Sequence, residues 1–579
     1  MSLEQTKAQL LASTESEEKL LEEIDRLYFQ EIQSDDKSLQ RALSELHNSK
    51  DINLISLIGN IDRSSCEQDF FALLHVFEGA IPLLEDNTEN ILNCLTNLTI
   101  QAGRDLAVGG VYRAFQDYCS LSLSRARESI LIILNQHKLD PYAPFLSNAI
   151  LAYPKDNLVE AIQTAEKLIA HENEFVRRQG YFSLSMLDVE EVQASIIWKL
   201  FSISANNEED NDCCASLLRA VLRFGEKFPH YWQEVEGLLT TINNTNSPEA
   251  QYTISDILAF QQAEIPENIL LLLIQNLTNI SPEHKGIVDK VDHVLVKLVE
   301  KGQVDSAINI LESVISDNVK FSSLDYFSSE LLSKHQNLVN HLVTKWFLSG
   351  ETALCHGILD LIHDSTDKNI EIQADTALLT DEASKLFVCR KAIGWLFMRP
   401  IAAASLILSI YDSVSTQSHN DLEHALFSPL FLSYPGELSR YFQSCIESEV
   451  QVQLCQNLLD KLQAYNADLG QVAGLKELRA PSENVNAYWK QFNKSMSEAH
   501  EEASKSSIVN LFTTQRLLYG NSSIYYVHTG NGERVRQEMQ MQSISHSAEL
   551  PRLNVLDPEV LDYTLRVYRN ERFINEVNS

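Results

Sequence analysis

Glycine and proline are scarce in this chain, at 19 and 14 of 579 residues, each about half of the usual ~7% and ~5%. So little helix-breaking punctuation predicts long helices joined by short turns. Cysteine is present but unpatterned. The nine residues Cys66, Cys94, Cys119, Cys213, Cys214, Cys355, Cys389, Cys445 and Cys455 are odd in number and contain no C-x-x-C, which excludes a disulfide framework and a zinc ribbon. Cys94 and Cys455 sit among leucines and are expected as small buried hydrophobes. A reducing, cytoplasmic location fits best. The first residues offer no basic or apolar leader before Glu15, Glu17 and Glu18, so neither a secretory signal nor a transit peptide is expected.

Catalytic signatures are also missing. There is no Walker A pattern, dinucleotide glycine fingerprint, G-x-S-x-G, H-E-x-x-H or EF-hand loop, and the chemistries those patterns serve lack their machinery. Gly530-Asn531-Gly532 lies between strand-like stretches instead of opening a helix, so it is not read as a phosphate loop. Positive charge is short as well: 46 Lys+Arg face 80 Asp+Glu, a net charge of -34. That field repels nucleic acid over most of the surface and favours a protein partner with a basic surface or segment.

Long apolar runs are nearly absent. The exception is AIGWLFMRPIAAASLILSIY, residues 392–411, long enough for a membrane span but interrupted by Arg399. Pro400 directly after it suits the first turn of a helix and biases Arg399 out of one. Two buried helices meeting at Arg399-Pro400 are therefore expected, with no span.

What is present is helical periodicity. Thr14-Glu15-Ser16-Glu17 has the form of a capping box, and Leu20, Leu21, Ile24, Leu27, Tyr28 and Ile32 follow at helical spacing opposite Glu22, Glu23, Asp25 and Glu31. This acidic helix reads either as an arm that docks on a partner or as a first helix packed on its neighbour. Paired stripes then recur: Phe70 to Leu84 with Asn87 to Ile100, Leu158 to Ile169 with Val176 to Leu187, and Ile287 to Leu298 with Val304 to Ile315 after a Gly302 C-cap. A short linker forces the two helices of each pair to turn back on each other. No pair can bury its apolar faces alone, and stacking completes the core.

Within the second pair, Asn173-Glu174-Phe175-Val176-Arg177-Arg178-Gln179-Gly180-Tyr181-Phe182-Ser183-Leu184 resembles the second helix of a HEAT repeat. The shared features are the Val176-Arg177 step, a small residue four after the valine, and Leu184 and Leu187. Gly180 stands where that family usually has alanine. The resemblance covers one repeat, the other pairs being HEAT-like or armadillo-like only, and it implies that Arg177 hydrogen-bonds between adjacent repeats. At a period near ~40 residues, the array would hold on the order of a dozen hairpins.

The fold expected is mostly α: a HEAT-like α-solenoid of stacked antiparallel helical hairpins over residues 61–515, an acidic helical segment over 1–60, and a small C-terminal α+β cap over 516–579. No lysine follows Lys505, and from Arg516 seven arginines face eight acids. There, residues 524–528, a Gly/Asn turn, and Val535, Met539 and Met541 alternating with polar residues predict a β-hairpin, before a last helix from Pro558 to Phe573.

Two clusters carry side chains suited to chemistry. His356, Asp360 and His363 fall on one helix face at metal-like spacing, but they equally form a solvated polar face, and no metal or cofactor is assigned. Arg104, Arg113, Arg125 and Arg127 follow a stretch, 64–103, without a single Lys or Arg. They could grip a phosphate or acidic tail, or pair with acids of the same chain. Trp198, Trp232, Trp346, Trp395 and Trp489 are expected on core-facing helix sides. The expected function is a non-enzymatic interaction scaffold. The alternative is a scaffold or regulatory subunit of a nucleic-acid-processing or defence complex, for which Arg104, Arg113, Arg125, Arg127, Arg177 and Arg178 would have to form one basic groove. A HEAT-like enzyme, such as a repeat glycosylase or lyase, would need acidic and aromatic groove residues that the sequence does not identify.

Overall fold

A computed structural model describes residues 2–31, 38–64, 68–103, 108–243, 245–260, 265–277, 279–316, 319–365, 367, 369–472, 474–475, 489–491, 493–495, 497–498, 501, 513–517, 522–528, 534–540, 549, 551–552 and 558–573. Contacts divide the chain into two compact units, residues 1–317 and 318–579. The divisions expected from sequence fell near 60 and 515, where charge and composition change. Packing divides the chain elsewhere, because the first helices pack onto those that follow them.

Unit 1 begins with α1 (Leu3–Ala12), α2 (Glu17–Glu31), α3 (Ser38–Asn48) and α4 (Leu54–Gly59). Helix α1 was not anticipated; Ser2 and Gln5 close its capping box. The box expected at Thr14 is corrected too. Ser16 accepts from the Lys19 amide, while the Thr14 hydroxyl turns back to the Leu11 carbonyl. The helix it precedes buries Leu20, Ile24 and Leu27, packs on α5, and is therefore a first-layer helix.

The helices that follow are α5 (Phe70–Ala80), α6 (Thr88–Ala102), α7 (Val108–Ser120), α8 (Leu123–Leu134), α9 (Pro144–Leu151) and α10 (Leu158–Ile169). Next come α11 (Glu174–Met186), α12 (Glu191–Asn207), α13 (Asn211–Lys227) and α14 (Trp232–Leu239), with α10 packed on α11 and α12 on α13. The unit closes with α15 (Pro248–Phe260), α16 (Glu267–Gln275), α17 (Lys285–Glu300) and α18 (Val304–Ser316). Helices α1, α3, α5, α7, α9, α11, α13, α15 and α17 each pack on the next in that order, forming one continuous layer, and the even-numbered helices back onto it. This is the packing of a helical repeat stack. Its layers follow from the stripes: α10, at the back, buries only Ala161, Ile162, Ala165 and Leu168, whereas α13, packed on α11, α12, α14 and α15, buries residues on every side. Gly302 ends α17 at φ +76°, where its amide and that of Gln303 reach back to Val299 and Leu298.

Unit 2 contains α19 (Asp325–Lys334), α20 (Gln336–Ser349), α21 (Thr352–Asp364), α22 (Glu382–Trp395), α23 (Pro400–Tyr411), α24 (Thr416–Ala425), α25 (Pro435–Glu447) and α26 (Val452–Val472). Arg399 caps α23 and Pro400 opens it, as expected. No described helix is long and apolar enough to cross a membrane.

The C-terminal expectation is corrected. Among the described residues from 2 to 472 there are helices and no strand, and the later strands are not a two-stranded hairpin in a cap. They are β1 (Thr513–Leu517), β2 (Ser522–His528) and β3 (Arg534–Gln540), an antiparallel sheet in the order β1-β2-β3, with Thr513 opposite Val527 and Ser522 opposite Gln540. The final helix, α27 (Pro558–Asn570), packs on α22, so it and the strands do not make up the α+β cap that was drawn. Period-two alternation identifies strand residues but carries no information about the surface they cover. The turn at 530–532 and Met541 lie outside the described residues.

Candidate functional site

Successive hairpins are joined by side-chain bonds at a regular sequence separation. Arg127 to Glu160, Arg177 to Glu208, Arg219 to Asp256, Asn97 to the Ile58 carbonyl and His341 to Asp375 span 33, 31, 37, 39 and 34 residues. Each spacing is about one repeat.

Arg177 makes the densest of these joints. Its Nε and one terminal nitrogen donate to the two Glu208 oxygens at 3.0 and 3.1 Å, while the other donates to the His171 and Glu172 carbonyls. Tyr181 donates its hydroxyl to Glu208 at 3.0 Å. The carboxylate raises the Arg177 pKa against the effect of burial. A cavity of about 740 Å³ borders this network, whose polar groups already satisfy one another.

A second recess is more open to chemistry. A groove of about 590 Å³ runs across α11, α13, α15 and α17, bordered by Arg178, Phe182, Arg219 and Tyr252. Ion pairs step along it: Arg178 to Asp212 at 3.5 Å, Arg219 to Asp256 at 2.7 Å, and Lys290 to the other Asp256 oxygen. Burial raises the Asp256 pKa, but hydrogen bonds from Lys290 and Arg219 outweigh it and hold the carboxyl below its usual range. The Lys290 ammonium also lies 4.6 Å from the Tyr252 ring centre and 4.9 Å from that of Phe260. Arg223 lies over Phe182 at 5.6 Å and donates to the Met186 sulfur at 3.2 Å. Tyr252 and Phe260 are about half exposed. Aromatic faces, guanidinium groups and the half-exposed Asp212 carboxylate therefore share one channel, an arrangement that can grip an extended chain through side chains of several kinds.

The sequence-named clusters are placed differently. Arg104 lies outside the described residues. Arg127 pairs with Glu160, Arg125 lies 4.3 Å from the Tyr118 ring centre, and Arg113 stands beside the half-buried Glu78 carboxyl. Arg177 and Arg178 pair with Glu208 and Asp212. The described arginines of this set are thus engaged within the chain. His356 packs edge-on against Trp395, and the Asp364 side chain lies outside the description. No group of three His, Cys, Asp or Glu among the described residues is arranged to hold an ion. Trp346 and Trp395 are buried, Trp198 and Trp232 half-buried, and Trp489 exposed. The described cysteines are free and buried, and burial pushes Cys94, Cys119, Cys355 and Cys389 up to about 12, far from reactive thiolates.

Sequence reasoning missed Arg219, Arg223, Tyr252, Asp256 and Lys290. The usable signal was the repeat spacing itself, since Arg178 to Asp212, Arg219 to Asp256 and Asp256 to Lys290 are each about one repeat apart. Comparison with protein-family models and with curated proteins gives no match.

Proposed function

We propose that this chain is a non-enzymatic, HEAT-like interaction scaffold that holds an extended segment of a partner protein in the α11–α17 groove. The observation that carries this reading is the groove's combination of the aromatic faces of Phe182 and Tyr252 with the ion-paired Arg178, Asp212 and Arg219. The partner segment is basic. The net charge of -34 steers cations toward the surface, and half-exposed Asp212 gives them an acceptor at the groove. Phe182 and Tyr252 receive the intervening apolar side chains. Arg177, which links neighbouring hairpins, keeps the groove-forming helices in register.

The test is fluorescence anisotropy with Lys/Arg-rich and Asp/Glu-rich peptides of equal length, interspersed with leucine. Basic peptides should bind, weaken as salt rises, and lose at least tenfold in affinity to the Asp212→Ala/Tyr252→Ala chain. Equal binding of both peptide sets, or an unchanged affinity in the variant, overturns the reading.

A further inference from the structure

Apart from the strands, the described residues of unit 2 include a set of contacts with no repeat spacing. Arg390 on α22 clasps Glu571 through two bonds of 2.8 and 2.6 Å, across 181 residues. The Lys391 ammonium donates to the Arg569 carbonyl at 2.6 Å, and Arg569 Nε donates to the Gly394 carbonyl. Arg572 reaches the Gly350 carbonyl, and Phe573 packs on Phe387. Upstream, the Glu549 carboxylate accepts from the Gly436 and Glu437 amides at the start of α25, and the Arg552 amide donates to the Ser433 carbonyl. The described residues 549, 551–552 and 558–573 thus lie across α22 to α25.

These bonds are many, but the apolar seal is thin. On α27, Leu565 is buried, while Val560, Tyr563 and Val567 are 50%, 70% and 42% exposed. A cavity of about 310 Å³ separates the helix from Leu432, Leu462 and Leu469. Helices α20, α22, α23, α24 and α25 meanwhile pack on one another without it. An element with little apolar burial on a well-packed base belongs at the low end of local stability.

We propose that residues 558–573 form a tethered ligand: the segment leaves a preformed groove over α22 as a unit while the groove helices stay folded, and the vacated groove takes the same segment from a second copy of the chain. The recognition chemistry is the Arg-x-Glu-Arg-Phe stretch at the end of α27, Arg569 to Phe573, in which the glutamate meets Arg390 and the arginines meet the carbonyls of Gly350 and Gly394. Cis and trans docking use identical contacts, so exchange between copies costs no specific interaction. Tethering favours the cis form at low chain concentration.

The full chain tests this through two charge reversals, Arg390→Glu and Glu571→Arg. Lys391 is fully covered in the docked state, so its labelling by an amine reagent, read by mass spectrometry, reports release. Each single variant should label Lys391 at least tenfold faster than the parent, with hydrogen exchange of α23 unchanged. The two variants when mixed should form a species of twice the single-variant mass, in which the new carboxylate on α22 of one copy meets the new guanidinium on the segment of the other. Lys391 of the Arg390→Glu copy should then regain its protection. Unchanged labelling in the single variants, or α23 exchanging together with α27, overturns the tethered ligand. Mixing without mass doubling and renewed protection overturns exchange between copies.

Discussion

Unit 1 is held by bonds between hairpins that are neighbours in sequence, whereas unit 2 adds a clasp between residues 112 to 222 positions apart. In the first arrangement every hairpin is completed by the next, and damage at one joint reaches the hairpins on both sides. In the second, a covering segment lies on a base that is already packed. One principle follows: substitutions at comparable sites should unfold unit 1 but only uncover unit 2.

Glu208→Ala gives the largest expected effect. Its carboxylate is 7% exposed and serves both Arg177 and Tyr181. Removing it strands a guanidinium and a hydroxyl in a largely buried joint, a loss of about 3–5 kcal/mol. Urea unfolding of single-tryptophan versions should show a lower midpoint at Trp198 and Trp232, with Trp346 and Trp395 unmoved. A shift below about 1 kcal/mol would mean that the joint does not carry unit 1, and the contrast between units would break there.

Two glycines sharpen the comparison. A Cβ on Gly180 would come within 2.6 Å of Ile169 Cγ2 and 2.8 Å of the Ile169 backbone nitrogen, in the paired helix α10. Gly180→Ala must therefore push two core helices apart, at about 2 kcal/mol, seen as a lower thermal midpoint of unit 1. A Cβ on Gly394 would meet the Tyr568 Cβ at 3.0 Å and the Arg569 amide nitrogen at 3.1 Å, both on the clasping segment. Gly394→Ala should accelerate hydrogen exchange in α27 and leave the midpoint of unit 2 in place. Equal midpoint shifts in the two variants would show α27 to be part of the core.

The same glycines mark how far the sequence could be read. Helix pairs, short turns and the Arg399-Pro400 break were visible because stripe periodicity and proline chemistry are local. Gly180 was noticed as a departure from the alanine of HEAT repeats, but its cause, the close approach of Ile169, exists only once α10 and α11 are packed. The groove was invisible for a related reason: Arg219, Asp256 and Lys290 look like ordinary surface charges until hairpins stack at one-repeat spacing. The arginines after position 103 stood out in sequence through the basic-free stretch before them. Pairing with Glu160, Glu208 and Asp212 then engaged three arginines of the wider set inside the chain. The clasp had no local signal at all, since Arg390 and Glu571 are 181 residues apart.

The smallest expected effect is a pH slope that differs in sign between the units. Glu78 is packed over Gly110, with the carboxyl where a Cβ on that glycine would fall, and has His75 Nδ1 at 3.6 Å. Burial raises its pKa from 4.5 to about 7 despite the opposing pull of Arg113. The native state therefore keeps a proton that the unfolded state releases. Stability from this group is intact below pH 4.5, falls as pH rises from 4.5 to 7, and is constant above. Discounted for partial solvent screening, the loss is about 1–2 kcal/mol. The difference between parent and Glu78→Gln in unit 1, read at Trp198 from about pH 4.5 to about pH 8, should show it. In unit 2, hydrogen bonds from Ser415 and Ser418 lower the Glu382 pKa, so its contribution is present above the unfolded value and disappears as pH falls through the lower folded value. Glu382→Gln, read at Trp395, should lose stability relative to the parent at neutral pH and converge with it in acid. If both substitutions gave slopes of one sign, burial at Glu78 would not be the governing cause, because a carboxyl held by hydrogen bonds and one held in an apolar seat must titrate in opposite senses.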